Sequence, residues 1–172
     1  MINPKELIGH VSGGKVLDVA TGTGNFIAFL QEGLKDYQEI TGIDQNDRAA
    51  AAFNEIFKDV PGVSFEQQDA LHMSFDDAAF DTVCIANSLH HFHDPQPVLY
   101  EMMRVLRPGG FFILAEMYRD GQTETQMTHV LLHHWWAAVD SANGVVHNET
   151  YQREALIDMI TKLDLENLVF FD

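Results

Sequence analysis

The chain has little basic charge, a single cysteine and no long apolar run, and each shortage excludes a class of protein. Ten Lys and Arg against 26 Asp and Glu give a formal net charge of −16 over 172 residues. Nucleic acids and anionic membranes both select basic surfaces, so we expect neither as a partner. Cys84 alone allows no internal disulfide and no cysteine-based zinc site. Apolar runs such as Phe111–Ala115 are much too short to span a membrane.

Length and composition favour one globular domain over residues 1–172. Domains usually contain about 100–200 residues. With 46% apolar residues, including 12 Phe, the chain can bury a core, which argues against an acidic disordered tail. The first residues, Met1–Glu6, contain no apolar signal region and no cleavage site, so we expect a cytoplasmic protein.

Short β-rich runs alternate with helical patterns through the first two thirds of the chain. Strands are predicted at Lys15–Val19, Glu39–Ile43, Val63–Gln67, Phe80–Ala86 and Phe111–Glu116, with helices over 25–34, 47–57 and 95–106 between them. Arg107–Gly110, with the sequence Arg-Pro-Gly-Gly, is typical of a type II turn. The alternation predicts the α/β class, as a doubly wound, Rossmann-like and mostly parallel sheet in three α/β/α layers.

Beyond Glu116 the pattern changes. A helix over 120–139, a loop over 140–150, a helix at Tyr151–Leu163 and a last strand at Asn167–Phe171 are predicted.

A glycine-containing loop follows the first predicted strand, in Val16–Asn25 (Val-Leu-Asp-Val-Ala-Thr-Gly-Thr-Gly-Asn). Ligands of open parallel sheets bind at the carboxyl ends of the strands, near the point where the strand order reverses. Gly22 and Gly24 allow a tight turn in which the backbone approaches a ligand closely. Asp44 ends the second predicted strand, where a carboxylate can accept both hydroxyls of a ribose. This order of elements predicts a nucleotide-type ligand.

Two ligands suit that order, a dinucleotide and S-adenosylmethionine. The dinucleotide fingerprint needs glycine or alanine at the position where this chain has Ile27. Asp18, inside the motif, would repel a pyrophosphate but suits an ammonium group. S-adenosylmethionine is therefore favoured, and an NAD(P)-binding oxidoreductase is the less favoured alternative.

Five segments, taken in order, resemble the class I S-adenosylmethionine-dependent methyltransferases over about residues 15–116. They are Val16–Gly24, Asp44, Gln68–Ala70, Ala86–Pro95 and Arg104–Gly110. The variant Asp-Val-Ala-Thr-Gly-Thr-Gly, with Ala20 where many members have glycine, resembles the ubiquinone- and menaquinone-biosynthesis methyltransferases in particular. The resemblance implies methyl transfer from S-adenosylmethionine to a small molecule, with S-adenosylhomocysteine as product. A domain that binds the cofactor without catalysis is kept as an alternative.

The resemblance also implies a cofactor cradle and a division of the chain. The cradle residues are Asp18, Ala20, Thr21 and Gly22 around the methionine moiety, Asp44 at the ribose, Gln45, Asp69 and Ala70 at the adenine, and Asn87 at the amino end. Residues 15–116 form the expected cofactor-binding core, 117–150 a helical lid insertion, and 151–172 a final helix and strand. Class I methyltransferases usually end in a pair of antiparallel strands. In this chain only one strand of that pair is predicted, at Asn167–Phe171.

A protonated acceptor needs a general base, and histidine is the side chain suited to that task at neutral pH. His91, just after the fourth strand, and His134, in the predicted lid, are the candidate catalytic residues. Because Trp135 and Trp136 cannot both face one core, we expect one of them to line a cleft or an interface. A homodimer is kept open.

No metal site is predicted from the histidines. His90, His91 and His93 lie too close along the chain to converge easily on one ion. His129 and His133 stand four residues apart on a predicted helix, but no Glu-x-x-His context accompanies them.

Overall fold

The computed structural model describes residues 4–171, in which six α-helices and five strands follow one another. The elements are α1 (Pro4–Ile8), β1 (Lys15–Val19), α2 (Asn25–Gly33), β2 (Glu39–Asp44), α3 (Asp47–Phe57), β3 (Val63–Gln67), β4 (Phe80–Ala86), a 3₁₀ turn (Leu89–His91), α4 (Gln96–Val105), β5 (Leu106–Ala115), α5 (Glu124–Ala142) and α6 (Arg153–Thr161). Within the described residues no helix combines the length and the apolar character that crossing a membrane would need.

The five strands form one parallel sheet in the order β3-β2-β1-β4-β5. The path from β1 to β3 moves along the sheet in one direction, and the path from β4 to β5 moves in the other. Because β-α-β crossovers are right-handed, this reversal puts α4 on the face opposite α2 and α3. The prediction of a doubly wound three-layer fold is confirmed. The strand order reverses between β1 and β4, which is where such folds bind ligands.

The central strand β1 is buried on both faces, as parallel strands usually are. Val16, Leu17 and Val19 have no exposed surface, and the one polar residue among them is Asp18. The surrounding core consists of apolar side chains from α1, the sheet, α2 and α3. Its buried members are Ile8, Val11, Val16, Ile27, Leu30, Leu34, Ile40, Phe53, Phe57 and Cys84.

The chain divides into two compact units. The first contains the residues up to Ala86 together with Tyr100–Ala115, and hence all five strands. The second contains Asn87–Leu99 and the residues from Glu116 onward, including α5 and α6. The division into a core, a lid and a final segment stays a prediction.

Two sequence predictions differ from the structure. The last strand expected at Asn167–Phe171 is wrong, because these residues have no regular structure and their apolar side chains are exposed. A short apolar run becomes a strand only where a partner strand takes up its backbone hydrogen bonds. At Arg107–Gly110, Gly109 has the positive φ (+73°) expected of the predicted turn. The segment nevertheless lies within β5 as a bulge, since Leu106 pairs with Phe80 and Phe111 with Thr82.

Candidate functional site

The loop between β1 and α2 is fixed by backbone hydrogen bonds, and its two glycines have different surroundings. Thr21 N–H donates to Ile43 O (2.9 Å), and Gly24 N–H donates to Thr21 O (2.9 Å). At Gly24 a Cβ would lie 2.3 Å from the Phe57 ring, so only glycine lets this turn pack against α3. At Gly22, with φ +55°, a Cβ would meet nothing within 4 Å. The backbone at Gly22 therefore borders open space.

Asp44, at the end of β2, is tied directly to this loop. Its Oδ2 accepts the backbone N–H of Gly22 (2.9 Å), and its Oδ1 accepts the N–H of Asn46 (2.9 Å). The N-cap of α3 is Asn46, whose side chain accepts from Arg48 N–H (2.9 Å). Asp44 thus does not act as the helix cap. Each of its oxygens keeps a further lone pair with which it can accept a hydroxyl proton.

Gln45 and Asp69, both expected at the adenine, lie next to each other. Asp69 Oδ1 accepts the N–H of Leu71 (2.9 Å), and the side chain of Gln45 also donates to this carboxylate. The bond from Leu71 contributes most to lowering the pKa of Asp69 below its usual value, which keeps the group an ionised acceptor. Ala70, the following residue, is buried.

Asp18 lies beneath the loop with 1% of its surface exposed. Thr21 Oγ1 donates to Asp18 Oδ2 at 2.6 Å, and Cys84 Sγ lies 3.6 Å from Oδ1. Burial raises the pKa of Asp18 to about 7, and the charge of Asp44 adds to the effect, while the two hydrogen bonds oppose it. The carboxyl group is therefore a buried neighbour of the loop and not a surface contact.

Two non-glycine residues adopt the left-handed conformation directly after β1 and β4. They are Ala20 (φ +53°) and Asn87 (φ +48°). The two strand ends are neighbours, since Val19 pairs with Ile85. Such backbone strain is concentrated at functional sites. The conformation of Ala20 also explains why glycine suits this position in the proteins that the motif resembles.

In the second unit, histidines from separate segments come together. His147 Nδ1–H donates to Asp140 Oδ2 (2.6 Å), and the Nε2 atoms of His147 and His133 lie 3.1 Å apart. The His90 ring lies 4.5 Å from the His133 ring and 5.3 Å from the His147 ring, measured between centroids. Burial, with a smaller contribution from the neighbouring histidines, lowers the pKa of His133 to about 4. His133 is therefore neutral at pH 7.

Glu116, directly after β5, is the acid that orients His90. Its Oε1 lies 3.1 Å from His90 Nδ1, and its Oε2 accepts the backbone N–H groups of Ser88 (3.0 Å) and Leu89 (2.9 Å). Its side chain is 1% exposed. A buried carboxylate with this many donors is held in one position.

A cleft of about 330 Å³ opens in the second unit. Its lining consists of Glu116, Met117, Tyr118, Gln122, Gln126, His129 and Val130. This volume lies near the lower end of small-molecule sites. Trp135 and Trp136 do not line this cleft, and both are more than half exposed on α5.

The chain is similar to proteins of known family over most of its first two thirds. A model described as a methyltransferase domain matches residues 17–114, more than half of the chain. The chain belongs to the methyltransferase domain family. A demethylmenaquinone methyltransferase of Staphylococcus haemolyticus is 33% identical to it over 108 residues, which are 62% of this chain and 45% of that protein. The resemblance inferred from the motifs is confirmed.

Solved structures share the fold of this methyltransferase domain. The YcgJ protein of Bacillus subtilis superimposes with a TM-score of 0.70 at 22% identity, over 92% of this chain and 64% of that chain. A SAM-dependent methyltransferase of Aquifex aeolicus gives a TM-score of 0.57 at 20% identity, over 66% and 61% of the two chains. The chain spans less than half the length of the curated relative described above, at 45%.

The structure of the methyltransferase domain brings together most of the implied cradle. Eight of the nine residues lie in the first unit, at or after the ends of β1, β2 and β3, and Asn87 begins the second unit. The roles assigned to them stay predictions.

The two candidate catalytic histidines have partners of their own in the second unit. His91 Nδ1 lies 3.4 Å from Val146 O, and its ring centroid is 4.3 Å from that of His147. Burial contributes most to lowering its pKa. His134 Nε2 is hydrogen-bonded to Thr150 Oγ1 at 2.8 Å. Their catalytic role stays a prediction.

Glu116 and His147 are not among the site residues expected from the sequence. For Glu116 a signal existed, because it is the last residue of the predicted strand Phe111–Glu116, and ligands of parallel sheets bind at the carboxyl ends of the strands. His147 stands in a loop without any periodic pattern, so only the folded chain reveals its neighbours.

Proposed function

We propose that this chain binds S-adenosylmethionine at the carboxyl ends of β1, β2 and β3 and transfers the methyl group to a small-molecule acceptor. The proposal rests on the open space beside the backbone of Gly22. This space is bordered by the carboxylate of Asp44, which is hydrogen-bonded to the loop. Asp44 accepts the N–H of Gly22, so the acid and the loop are held together as one unit.

The residues at these strand ends suit the ribose, the adenine and the positively charged groups of S-adenosylmethionine. Asp44 has lone pairs left for two ribose hydroxyls. Asp69, ionised and bonded to Gln45, suits an exocyclic amino group such as that of adenine. A cofactor with a sulfonium and an ammonium group is also attracted by the carboxylate of Asp44, which would repel a pyrophosphate.

The packing of α2 argues against a dinucleotide. Ile27 occupies the position of the third small residue of the dinucleotide fingerprint and has no exposed surface. That small residue allows the helix to approach the strand closely, whereas here a large side chain fills the same space. The oxidoreductase alternative is therefore disfavoured by the structure as well as by the motif.

When bound, S-adenosylmethionine would supply an electrophilic methyl group on its sulfonium sulfur, and transfer of that methyl to the acceptor would release the sulfur as the thioether of S-adenosylhomocysteine. The protein's task is to orient the acceptor and to exclude water. His91 and His134 are the candidates for accepting a proton from it. Residues 117–150 stay the predicted lid, and the homodimer and the cytoplasmic location stay predictions.

The acceptor we propose is a small aromatic molecule with apolar character. The relative from Staphylococcus haemolyticus is named for demethylmenaquinone, and that name supports an acceptor of the quinol class. The cleft beside α5 has a suitable size and contains Met117, Tyr118 and Val130. The net charge of −16 disfavours nucleic acids as acceptors.

Calorimetry with S-adenosylmethionine and S-adenosylhomocysteine tests the cofactor, and labelled methyl transfer to a panel of reduced naphthoquinones tests the acceptor. We expect one cofactor per chain and labelled product from at least one quinol. Binding without any turnover would favour the non-catalytic alternative. Enhanced NADH fluorescence on mixing, without S-adenosylmethionine binding, would instead favour the oxidoreductase.

A further inference from the structure

Three histidines of the second unit point ring nitrogens at one another. His90 comes from the 3₁₀ turn, His133 from α5, and His147 from the loop after α5. One ring nitrogen from each of the three lies within 4.8 Å of the corresponding atoms of the other two. For a tetrahedral zinc ion at 2.0–2.1 Å from each imidazole, the nitrogens would be about 3.3 Å apart. The 3.1 Å between the Nε2 atoms of His133 and His147 is close to that value.

Two of the three histidines have a carboxylate at Nδ1. Glu116 Oε1 lies 3.1 Å from His90 Nδ1, and Asp140 Oδ2 lies 2.6 Å from His147 Nδ1. Such bonds place the ring proton on Nδ1, so the Nε2 lone pair is left for a ligand. The same carboxylate–histidine arrangement orients the ligands in metal sites of proteins.

Hydrogen bonding alone does not account for the cluster. One proton shared between the two Nε2 atoms would satisfy a single contact. His90 packs against the rings of both His133 and His147, at 4.5 and 5.3 Å between centroids. A cation at the centre uses the lone pairs of all three rings at once.

We propose that His90, His133 and His147 bind one divalent transition-metal ion, with Zn²⁺ as the occupant. Three imidazole nitrogens suit zinc and its neighbours in the first transition row, whereas Mg²⁺ and Ca²⁺ need oxygen ligands. Three protein ligands leave the fourth position of a tetrahedral ion open. All three histidines, and the carboxylates Glu116 and Asp140 beside them, lie in the second unit.

The chain, stripped with a chelator and dialysed, is titrated with Zn²⁺ by calorimetry and with Co²⁺ by visible absorption. We expect one ion per chain with micromolar or tighter affinity, and the intense absorption of tetrahedral Co²⁺. His133→Gln and His147→Gln should each weaken Zn²⁺ binding by at least about 100-fold, and Asp140→Asn by about 10–100-fold. His93→Gln is the matched control, because His93 is an exposed histidine close to His90 in the chain. The Zn²⁺ affinity of this variant should stay within about threefold of the wild-type value.

Thermal unfolding separates loss of the site from loss of the fold. Zn²⁺ should raise the Tm of the wild type and of His93→Gln but not that of the ligand variants. If the buried His147 does not tolerate substitution, the more exposed His133 provides the same test. Absence of binding to the wild type would overturn the proposal. So would equal binding by His133→Gln, His147→Gln and His93→Gln, which would mean that surface histidines bind the ion.

Discussion

Asp44 is the residue on which cofactor affinity depends most directly. If it accepts both ribose hydroxyls, each charge-assisted bond is worth about 1.5–3 kcal/mol. Asp44→Ala should then reduce cofactor affinity by roughly 2–4 kcal/mol, measured by calorimetry. Asp59→Ala, which removes an exposed acid just after α3, should leave the affinity unchanged. An unaltered dissociation constant for Asp44→Ala would remove this residue from the site.

Gly22 tests the open space beside the loop. Gly22→Val should abolish cofactor binding because its side chain would occupy the space that the ligand needs, while the helical circular-dichroism signal persists. Gly109→Val is a matched control, since Gly109 also has positive φ (+73°) and a Cβ there would likewise meet nothing within 4 Å. Both variants experience the same kind of backbone strain. Equal cofactor binding by both would show that the loop does not cradle the ligand.

Asp18 makes stability depend on pH. Its pKa is about 7 in the folded chain against 3.8 as the ordinary value, so between these values the folded state holds a proton that the unfolded state releases. Asp18 therefore lowers the free energy of unfolding as the pH rises from about 4 to about 7, and this loss of stability persists at higher pH. Asp18→Asn should abolish this contribution and, at pH 8, stabilise the ligand-free chain by at least about 1 kcal/mol.

Urea unfolding at pH 5 and pH 8 measures the effect of Asp18. The wild type should lose more stability between these two values than Asp18→Asn does. Parallel loss in the two proteins would mean that Asp18 is ionised throughout this range. Asp59→Asn, which changes an exposed acid, should follow the wild type.

At the scale of the element, α5 presents an apolar outer face. Exposed apolar side chains recur along α5 at helical spacing, namely Leu131, Leu132, Trp135, Trp136 and Val139.

The helix α5 begins at Glu124 and not at residue 120, because Thr123 and Gln126 form a capping box at its start.

The two tryptophans of α5 test the prediction that residues 117–150 form a lid that determines acceptor specificity. Replacing Trp135 or Trp136 singly by alanine should change acceptor affinity or turnover for at least one of them. Cofactor affinity should move by less than about threefold. Both rings are more than half exposed, so stability should change little. Ile56→Ala, at an equally exposed apolar position on α3, is the control. Unchanged acceptor kinetics in both tryptophan variants would contradict a role for this helix in specificity.

For the whole molecule, cofactor binding should stabilise the folded state by mass action. At a concentration 100 times the dissociation constant the gain is about 2.7 kcal/mol. Differential scanning fluorimetry should therefore show a higher Tm with S-adenosylmethionine and with S-adenosylhomocysteine. NADH at the same concentration should leave the Tm unchanged. A shift with NADH alone would contradict the assignment of the ligand.

Local signals were enough to predict the sheet and the cofactor loop. Strands and helices alternate with periods that do not depend on distant residues, and the glycine positions of the loop reflect backbone geometry at each residue. Asp44 could be found because a short helix connection places the end of β2 beside the end of β1. The same local reasoning failed at 167–171, where a strand would need a partner that no neighbouring sequence supplies.

The sequence by itself determined the family, the parallel α/β fold and the ends of the strands where a ligand would bind. The burial of Asp18 became visible only in the folded chain, because burial depends on what packs over a residue. Only the tertiary structure brought His90, His133 and His147 together. Their separation along the chain follows no helical or strand period, and only long-range packing of the second unit determines how far apart their ring nitrogens lie.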